Sequence, residues 1–187
     1  MSNERAEHLA LVSGLEPEDL VFVDEMGSHV ALTRLYARSK RGQRAHGTVK
    51  RNRGRNLTTI GAVTLDGVRA SFVFEGATDG AAFLVFVREV LAPSLRAGQV
   101  VVLDNLRAHR VEGVREAIET AGCRLVFLPG YWPDLNPIAS FRSKVKGYLR
   151  KVGARTRETL ETAIGQALAL VTPSDLRGWF GHAGYRV

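Results

Sequence analysis

Short runs of consecutive apolar residues predict the buried strands of this chain. Leu20 to Val23 forms one run, and Val100 to Leu103 forms another. A short unbroken apolar run is typical of a strand that is covered on both faces of its sheet. Each run ends on an acid, Asp24 in the first case and Asp104 in the second. The pattern therefore predicts two core strands that carry a carboxylate at their carboxyl ends.

Further strands are predicted where strand-forming residues lie between turn signals. Met26-Gly27-Ser28 indicates a turn into a strand at His29 to Leu35, and Asp66-Gly67 is typical of a tight hairpin. By strand alternation, Glu25 is expected on the face opposite to Asp24. The remaining predicted strands are Asn56 to Leu65, Val68 to Glu75 and Cys123 to Leu128.

Apolar residues at three- and four-residue spacing predict helices in the second half of the chain. Thr78 or Asp79 is expected to cap the first helix, and Thr156 is expected to cap the last, which would stop at Thr172-Pro173. Strands followed by alternating helices and strands predict a ribonuclease-H-like α/β fold, a mixed five-stranded sheet flanked by helices. The apolar residues of the tail, expected to cover the core, are Trp179, Phe180 and Tyr185.

Acids at the ends of two distant strands are a way to assemble a metal site. Paired carboxylates repel each other until a cation neutralises them, and hard oxygen ligands suit Mg²⁺ or Mn²⁺. Two such ions serve phosphoryl transfer, so the chemistry indicated is the cutting and joining of nucleic acid. Neither His29 nor Cys123 is assigned to metal binding: His29 is expected to be a packed or exposed strand residue, and Cys123 a small buried hydrophobe.

A third segment, Leu128 to Ile138, reads Leu-Pro-Gly-Tyr-Trp-Pro-Asp-Leu-Asn-Pro-Ile. Asn136 is a good helix cap and Pro137 suits the first helical position. Together with Val21-Phe22-Val23-Asp24-Glu25 and the Asp-Asn-x-x-x-His string from Asp104 to His109, this segment resembles the catalytic (DDE) domain of mariner-like superfamily transposases, in particular the bacterial insertion-sequence branch.

The resemblance implies a site of two strand aspartates and a glutamate directly after Asn-Pro-Ile, which together bind two metal ions. It also implies that 34 residues separate the last two acids, and 34 residues lie between Asp104 and position 139. The residue at position 139 is Ala139. Asp24 and Asp104 are thus the predicted metal ligands of a two-metal Mg²⁺ or Mn²⁺ site that Ala139 weakens. Asp134 is the nearest substitute acid and is assigned to the turn, while His109 is expected to position its loop or contact DNA.

The charge of the chain indicates an anionic partner. The formal net charge is +7, the pI is about 10.1, and no acid occurs between Met26 and Leu65. Lysine and arginine side chains that neutralise phosphates make DNA the natural partner, although a solvated basic loop would look similar. The residues predicted to bind DNA are Arg38, Lys40, Arg41, Arg44, Lys50, Arg51, Arg53, Arg55, Lys144 and Lys146.

The domain organisation predicted is a linker or docking arm at residues 1–19 and a catalytic domain at residues 20–187. In the resembling family a helix-turn-helix module that recognises the element ends precedes the catalytic domain, so a separate or missing module is expected here. The chain has no membrane-length apolar run and no signal peptide, and it carries one cysteine, which predicts a cytoplasmic protein.

Two functional readings follow. The first is a transposase catalytic domain for metal-dependent strand cleavage and transfer of an insertion sequence, with activity impaired by Ala139. The second is a non-catalytic DNA-binding or dimerisation protein derived from a transposase, with a homodimer left open. A ribonuclease-H-type nuclease would share the acids and the fold but not the Asn-Pro-Ile string.

Overall fold

The computed structural model describes residues 14–128 and 136–187 of the chain. Five strands form one sheet: β1 (Leu20–Ser28), β2 (Leu57–Thr64), β3 (Gly67–Glu75), β4 (Val100–Leu103) and β5 (Arg124–Phe127), in the spatial order β3-β2-β1-β4-β5. β1 to β3 are antiparallel neighbours, whereas β4 is parallel to both β1 and β5. The mixed five-stranded sheet that the sequence predicts is therefore confirmed.

The predicted strand at His29 to Leu35 is wrong. β1 continues through Met26 and Gly27 to Ser28, which pairs with Leu57 of β2. Gly27 suits the strand because the side chain of Asn56 lies where a Cβ would be. After Ser28 the chain leaves the sheet, and Val30 packs against the core without strand pairing.

Five helices flank the sheet in the described residues: α1 (Gly80–Phe86), α2 (Val114–Thr120), α3 (Ile138–Val152), α4 (Arg157–Ala169) and α5 (Pro173–His182). α1 continues as a wider helical turn over Val87–Leu91. The caps follow the sequence, since Asp79 Oδ1 accepts a hydrogen bond from the Ala82 N–H and Thr156 caps α4. None of the helices in this part of the chain is long and apolar enough to cross a membrane.

α5 lies where the sequence predicted a tail. Thr172 and Pro173, interpreted as a helix stop, also start the next helix, because Thr172 and Asp175 form a capping box around a proline at the first helical turn. Phe180 is fully buried, and its ring centroid lies 5.3 Å from that of Phe22 in β1. The expectation that the C-terminal aromatic residues cover the core is confirmed, because Trp179 and Tyr185 also pack against the core cluster that contains Phe180.

Two apolar clusters fill the two sides of the sheet. One contains Phe22 and Met26 of β1 and packs against α3, α4 and α5. The other contains Val21 and Val23 and packs against α1 and α2. Alternate residues of β1 thus face opposite layers, which places Asp24 on the side of α3.

Candidate active site

The parallel pairing of β1 with β4 brings two acids together at the carboxyl ends of these strands. Phe22 is in register with Val102, and Asp24 and Asp104 each follow two residues later. Neighbouring parallel strands have their carboxyl ends on the same side of the sheet, and open α/β sheets bind their ligands there. Burial is the main cause of the raised pKa of Asp24, and the negative charge of Asp104 adds a smaller contribution in the same direction.

Asp24 is buried, and each of its carboxylate oxygens accepts a hydrogen bond from the protein. Oδ1 accepts a hydrogen bond from the Glu25 N–H at 2.6 Å, and Oδ2 accepts one from Arg142 Nη1 at 2.5 Å. Burial raises the pKa of Asp24, while the Arg142 guanidinium and the Glu25 N–H oppose that rise. Arg142 is therefore the counter-ion of Asp24 in this structure.

His109 joins the second acid to the first strand. Its side chain is fully buried, with Nδ1 2.6 Å from Asp104 Oδ1 and Nε2 2.9 Å from Glu25 Oε1. Burial alone would lower the pKa of His109, but the hydrogen bonds to Asp104 and Glu25 outweigh it and raise the pKa to about 10. The imidazolium donates from both nitrogens, and its ring lies 4.2 Å, centroid to centroid, from that of Phe83. His109 thus fixes the loop after β4, and its complete burial leaves none of its surface for DNA.

Glu25 faces the side of the sheet opposite to Asp24, as strand alternation predicts. Its carboxylate contacts His109, which also contacts Asp104. Glu25 therefore helps to position Asp104 and does not contact Asp24 through its side chain. The sequence indicated the face but not the partner.

The first turns of α3 lie over Asp24. Asn136 Oδ1 accepts a hydrogen bond from the Ile138 N–H, as expected for a cap, and the helix itself begins at Ile138, one residue after the predicted start at Pro137. Phe141 covers Gly61, the residue of β2 that pairs with Asp24. One turn of helix separates position 139 from Arg142, so both positions lie on neighbouring parts of one helix face.

Ala139 contributes only a methyl group to this region. It lines a cleft of about 270 Å³ between α3 and α5, together with Ser143, Trp179 and His182. Asp134, the nearest alternative acid, lies outside the described residues. The third carboxylate implied by the family resemblance has no equivalent in the described start of α3.

The donors present do not fit a two-metal site. Asp24 and Asp104 offer hard carboxylate oxygens, but Asp24 is already paired with a guanidinium and Asp104 with an imidazolium. Within residues 14–128 and 136–187, no group of three or more histidine, cysteine, aspartate or glutamate side chains is arranged to hold a metal ion. No catalytic step is therefore assigned to a metal in this chain.

The segment between β1 and β2 carries most of the residues predicted to bind DNA. Every residue from 34 to 56 is exposed. Lys50 is tied to the body by a hydrogen bond from Nζ to the Arg155 carbonyl, and Arg55 pairs with Glu75. Six of the predicted DNA-binding residues in this segment make no such hydrogen bond or ion pair among the contacts that the structure describes. They are Arg38, Lys40, Arg41, Arg44, Arg51 and Arg53.

The basic side chains of α3 are more engaged than the sequence suggested. Lys144 forms an ion pair with Asp175, and Arg142 pairs with Asp24. Lys146 is partly buried, and its pKa is lowered first by burial and then by the charges of Arg142 and Arg150. The sequence analysis did not identify Arg142 as a site residue, because its acidic partner lies 118 residues away.

Comparison with solved structures finds the same fold in a transposase. A Mos1 transposase paired-end complex with the left transposon end superposes with a TM-score of 0.75 at 17% identity, over 97% of this chain and 57% of that one. The catalytic domain of Mos1 mariner transposase gives a TM-score of 0.62 at 12% identity, over 99% and 92% of the two chains. A mariner Mos1 paired-end complex with Mg gives 0.72 at 16%, over 97% and 58%.

These identities establish the fold, and the chain spans little more than half of the Mos1 transposase in the paired-end complexes. No curated protein sequence matches the chain. A sequence model of the DDE superfamily endonucleases matches residues 19–161, which include the five strands, Asp24, Asp104 and the whole of α3. The chain therefore belongs to the DDE superfamily endonuclease family.

Proposed function

We propose that this chain is the catalytic domain of an insertion-sequence transposase that binds DNA but whose strand cleavage and strand transfer are impaired by Ala139. The observation that carries the proposal is the position of Asp24 and Asp104, side by side at the ends of β1 and β4, with α3 over Asp24 and an alanine in its first turn. Two of the three acids that the family resemblance implies are present, and position 139 carries a methyl group instead of the third.

The charge distribution supports a nucleic-acid partner. The exposed basic segment leaves β1 at Ser28, four residues after Asp24, so it extends from the same end of the strand as the acids. DNA attracts such a surface because each neutralised phosphate releases counter-ions. The similar Mos1 structures include a complex with a transposon end, which agrees with this assignment.

Divalent metal use is proposed for the lineage rather than for this chain. Mos1 paired-end complexes with Mn and with Mg are among the similar structures. Asp24 and Asp104 are the residues that would ligate Mg²⁺ or Mn²⁺ if the third acid were restored and the cationic partner of Asp24 were removed. In the present chain that set is incomplete.

Restoring the acid tests the proposed loss of activity. Nicking of supercoiled plasmid DNA in Mn²⁺ should stay at background for the wild type and rise by about tenfold or more when Ala139→Glu is combined with Arg142→Gln, with a smaller rise for Ala139→Glu alone. Ala139→Gln is the matched control, because it has the same length without the charge, and Asp104→Asn should abolish any gain. If A139E and A139E/R142Q both remain at background, the proposal is wrong.

DNA binding is tested separately, because it does not depend on the acids. Neutralising Lys40, Arg41 and Arg44 to glutamine should weaken binding and reduce the slope of log affinity against log salt by about 3, one for each lost phosphate contact. The matched control neutralises three exposed arginines outside the segment between β1 and β2. They are Arg96, Arg115 and Arg124. Equal losses for both triple variants would remove the proposed DNA surface.

A non-catalytic DNA-binding or dimerisation protein is the second candidate. The Arg142–Asp24 ion pair favours it, because a guanidinium neutralises the acid without any metal. This candidate predicts the same DNA affinity but no nicking in the restored variants. The plasmid assay above therefore distinguishes the two.

A further inference from the structure

A buried carboxylate needs a neutralising partner, and in this chain Arg142 provides it. The side chain of Asp24 is 8% exposed, whereas that of Arg142 is 40% exposed and reaches in from the surface of α3. An unpaired buried charge is strongly unfavourable, so the carboxylate has to be protonated, paired with a side chain or bound to a cation. An arginine guanidinium keeps its charge at any ordinary pH, so Arg142 can neutralise Asp24 without a bound metal.

Asp24 already has a cationic partner, so a second cation would have to share its two oxygens with the donors present. Arg142 Nη1 donates a hydrogen bond to Asp24 Oδ2 at 2.5 Å, and the Glu25 N–H donates one to Oδ1 at 2.6 Å. Each carboxylate oxygen therefore already has a donor. Lys146, four residues after Arg142 in the same helix, adds positive charge to the same helix face. A divalent ion approaching Asp24 would meet like charges at close range.

The second acid, Asp104, also has a cationic partner. Asp104 and Glu25 share the buried imidazolium of His109. Position 139, one helical turn before Arg142, supplies no oxygen ligand. The face of α3 that covers the acids thus presents a methyl group and a guanidinium.

We propose that Arg142 is a built-in counter-ion that takes the place of a divalent cation at Asp24, so that the acidic pocket of this chain is complete without metal and excludes Mn²⁺ and Mg²⁺. The inference rests on the proposed function only in treating Asp24 and Asp104 as the ancestral ligands. It adds a second obstacle to metal binding, and restoring the acid at position 139 does not remove that obstacle.

The test is a Mn²⁺ titration of four proteins by calorimetry or electron paramagnetic resonance, without DNA. Wild type should not bind at micromolar concentrations, and A139E should bind weakly because Arg142 still holds Asp24. A139E/R142Q should bind about tenfold or more tightly than A139E, as expected for the removal of one like charge at close range. A139E/R150Q is the matched control, since Arg150 lies on the same helix and its change in charge is identical; it should behave like A139E.

Thermal unfolding gives an independent measure on the same proteins. At about a hundred times the dissociation constant, Mn²⁺ should raise the Tm of A139E/R142Q by about 5–10 °C, and adding Asp24→Asn should remove that shift. Wild-type binding at micromolar Mn²⁺, or equal affinity of A139E and A139E/R142Q, would overturn the inference. If a variant fails to fold, the Mn²⁺ titration of the wild type still tests the inference, because the inference predicts no binding at micromolar concentrations. Tight Mn²⁺ binding by A139E/R142Q without plasmid nicking would count against the proposed function and leave this inference standing.

Discussion

Replacing His109 by alanine is expected to destabilise the domain by about 3–5 kcal/mol, the usual effect of removing one partner from a buried charged network. His109 is fully buried, and its two nitrogens lie 2.9 Å from Glu25 and 2.6 Å from Asp104. The side chain of Glu25 is only 13% exposed, so its carboxylate would lose its partner without gaining full hydration. For a domain of this size the loss corresponds to a fall in Tm of about 6–20 °C.

Urea unfolding followed by circular dichroism measures this effect as a change in the free energy of unfolding. The matched control is Arg115→Ala, which breaks an exposed ion pair with Glu119 and should cost about 0–1 kcal/mol. A double-mutant cycle with Glu25→Ala then isolates the pair. H109A/E25A should be more stable than the sum of the single losses predicts, by about 1 kcal/mol or more.

Two results would refute this reasoning. H109A within about 1 kcal/mol of wild type would mean that water or a rearranged side chain compensates the two carboxylates. Losses that add within about 0.5 kcal/mol in the double mutant would mean that the histidine stabilises the fold through its packing on Phe83 rather than through Glu25.

Three further predictions concern the elements around the site. Gly61→Val should destabilise the domain by about 1–3 kcal/mol in urea unfolding, because a Cβ there would lie 3.1 Å from the Phe141 ring; a neutral effect would show that α3 can shift. The pKa of Asp175 is lowered to about 2, mainly by the Lys144 ammonium, so the stabilisation it provides is present above pH 4 and lost toward pH 2; Asp175→Asn should differ from wild type at pH 6 and converge with it at pH 2, and a constant difference would contradict this. Gly153→Ala should cost about 1–2 kcal/mol in thermal unfolding, because φ is +63° at the end of α3, whereas Gly147→Ala, within the same helix, should not destabilise.

Local patterns were sufficient for most of the fold. The apolar runs before Asp24 and Asp104 predicted β1 and β4, and the Asp66-Gly67 turn predicted the hairpin of β2 and β3. The local patterns gave wrong predictions where the same residues are compatible with two different structures. Gly27 was interpreted as a turn but lies inside β1, and Thr172-Pro173 was interpreted as a stop but also begins α5.

The sequence by itself determined that two acids end two core strands, that an alanine stands at the interval where a third acid was expected, and that positive charge concentrates in one segment. These are properties of residue type and spacing, which can be recognised without a three-dimensional structure. Only the tertiary structure decided which charges meet. Arg142 and Asp24 are 118 positions apart, and His109 and Glu25 are 84 apart, so no local rule pairs them. The packing of α3 and of the loop after β4 onto the sheet creates both contacts, and burial then makes each carboxylate depend on its cationic partner.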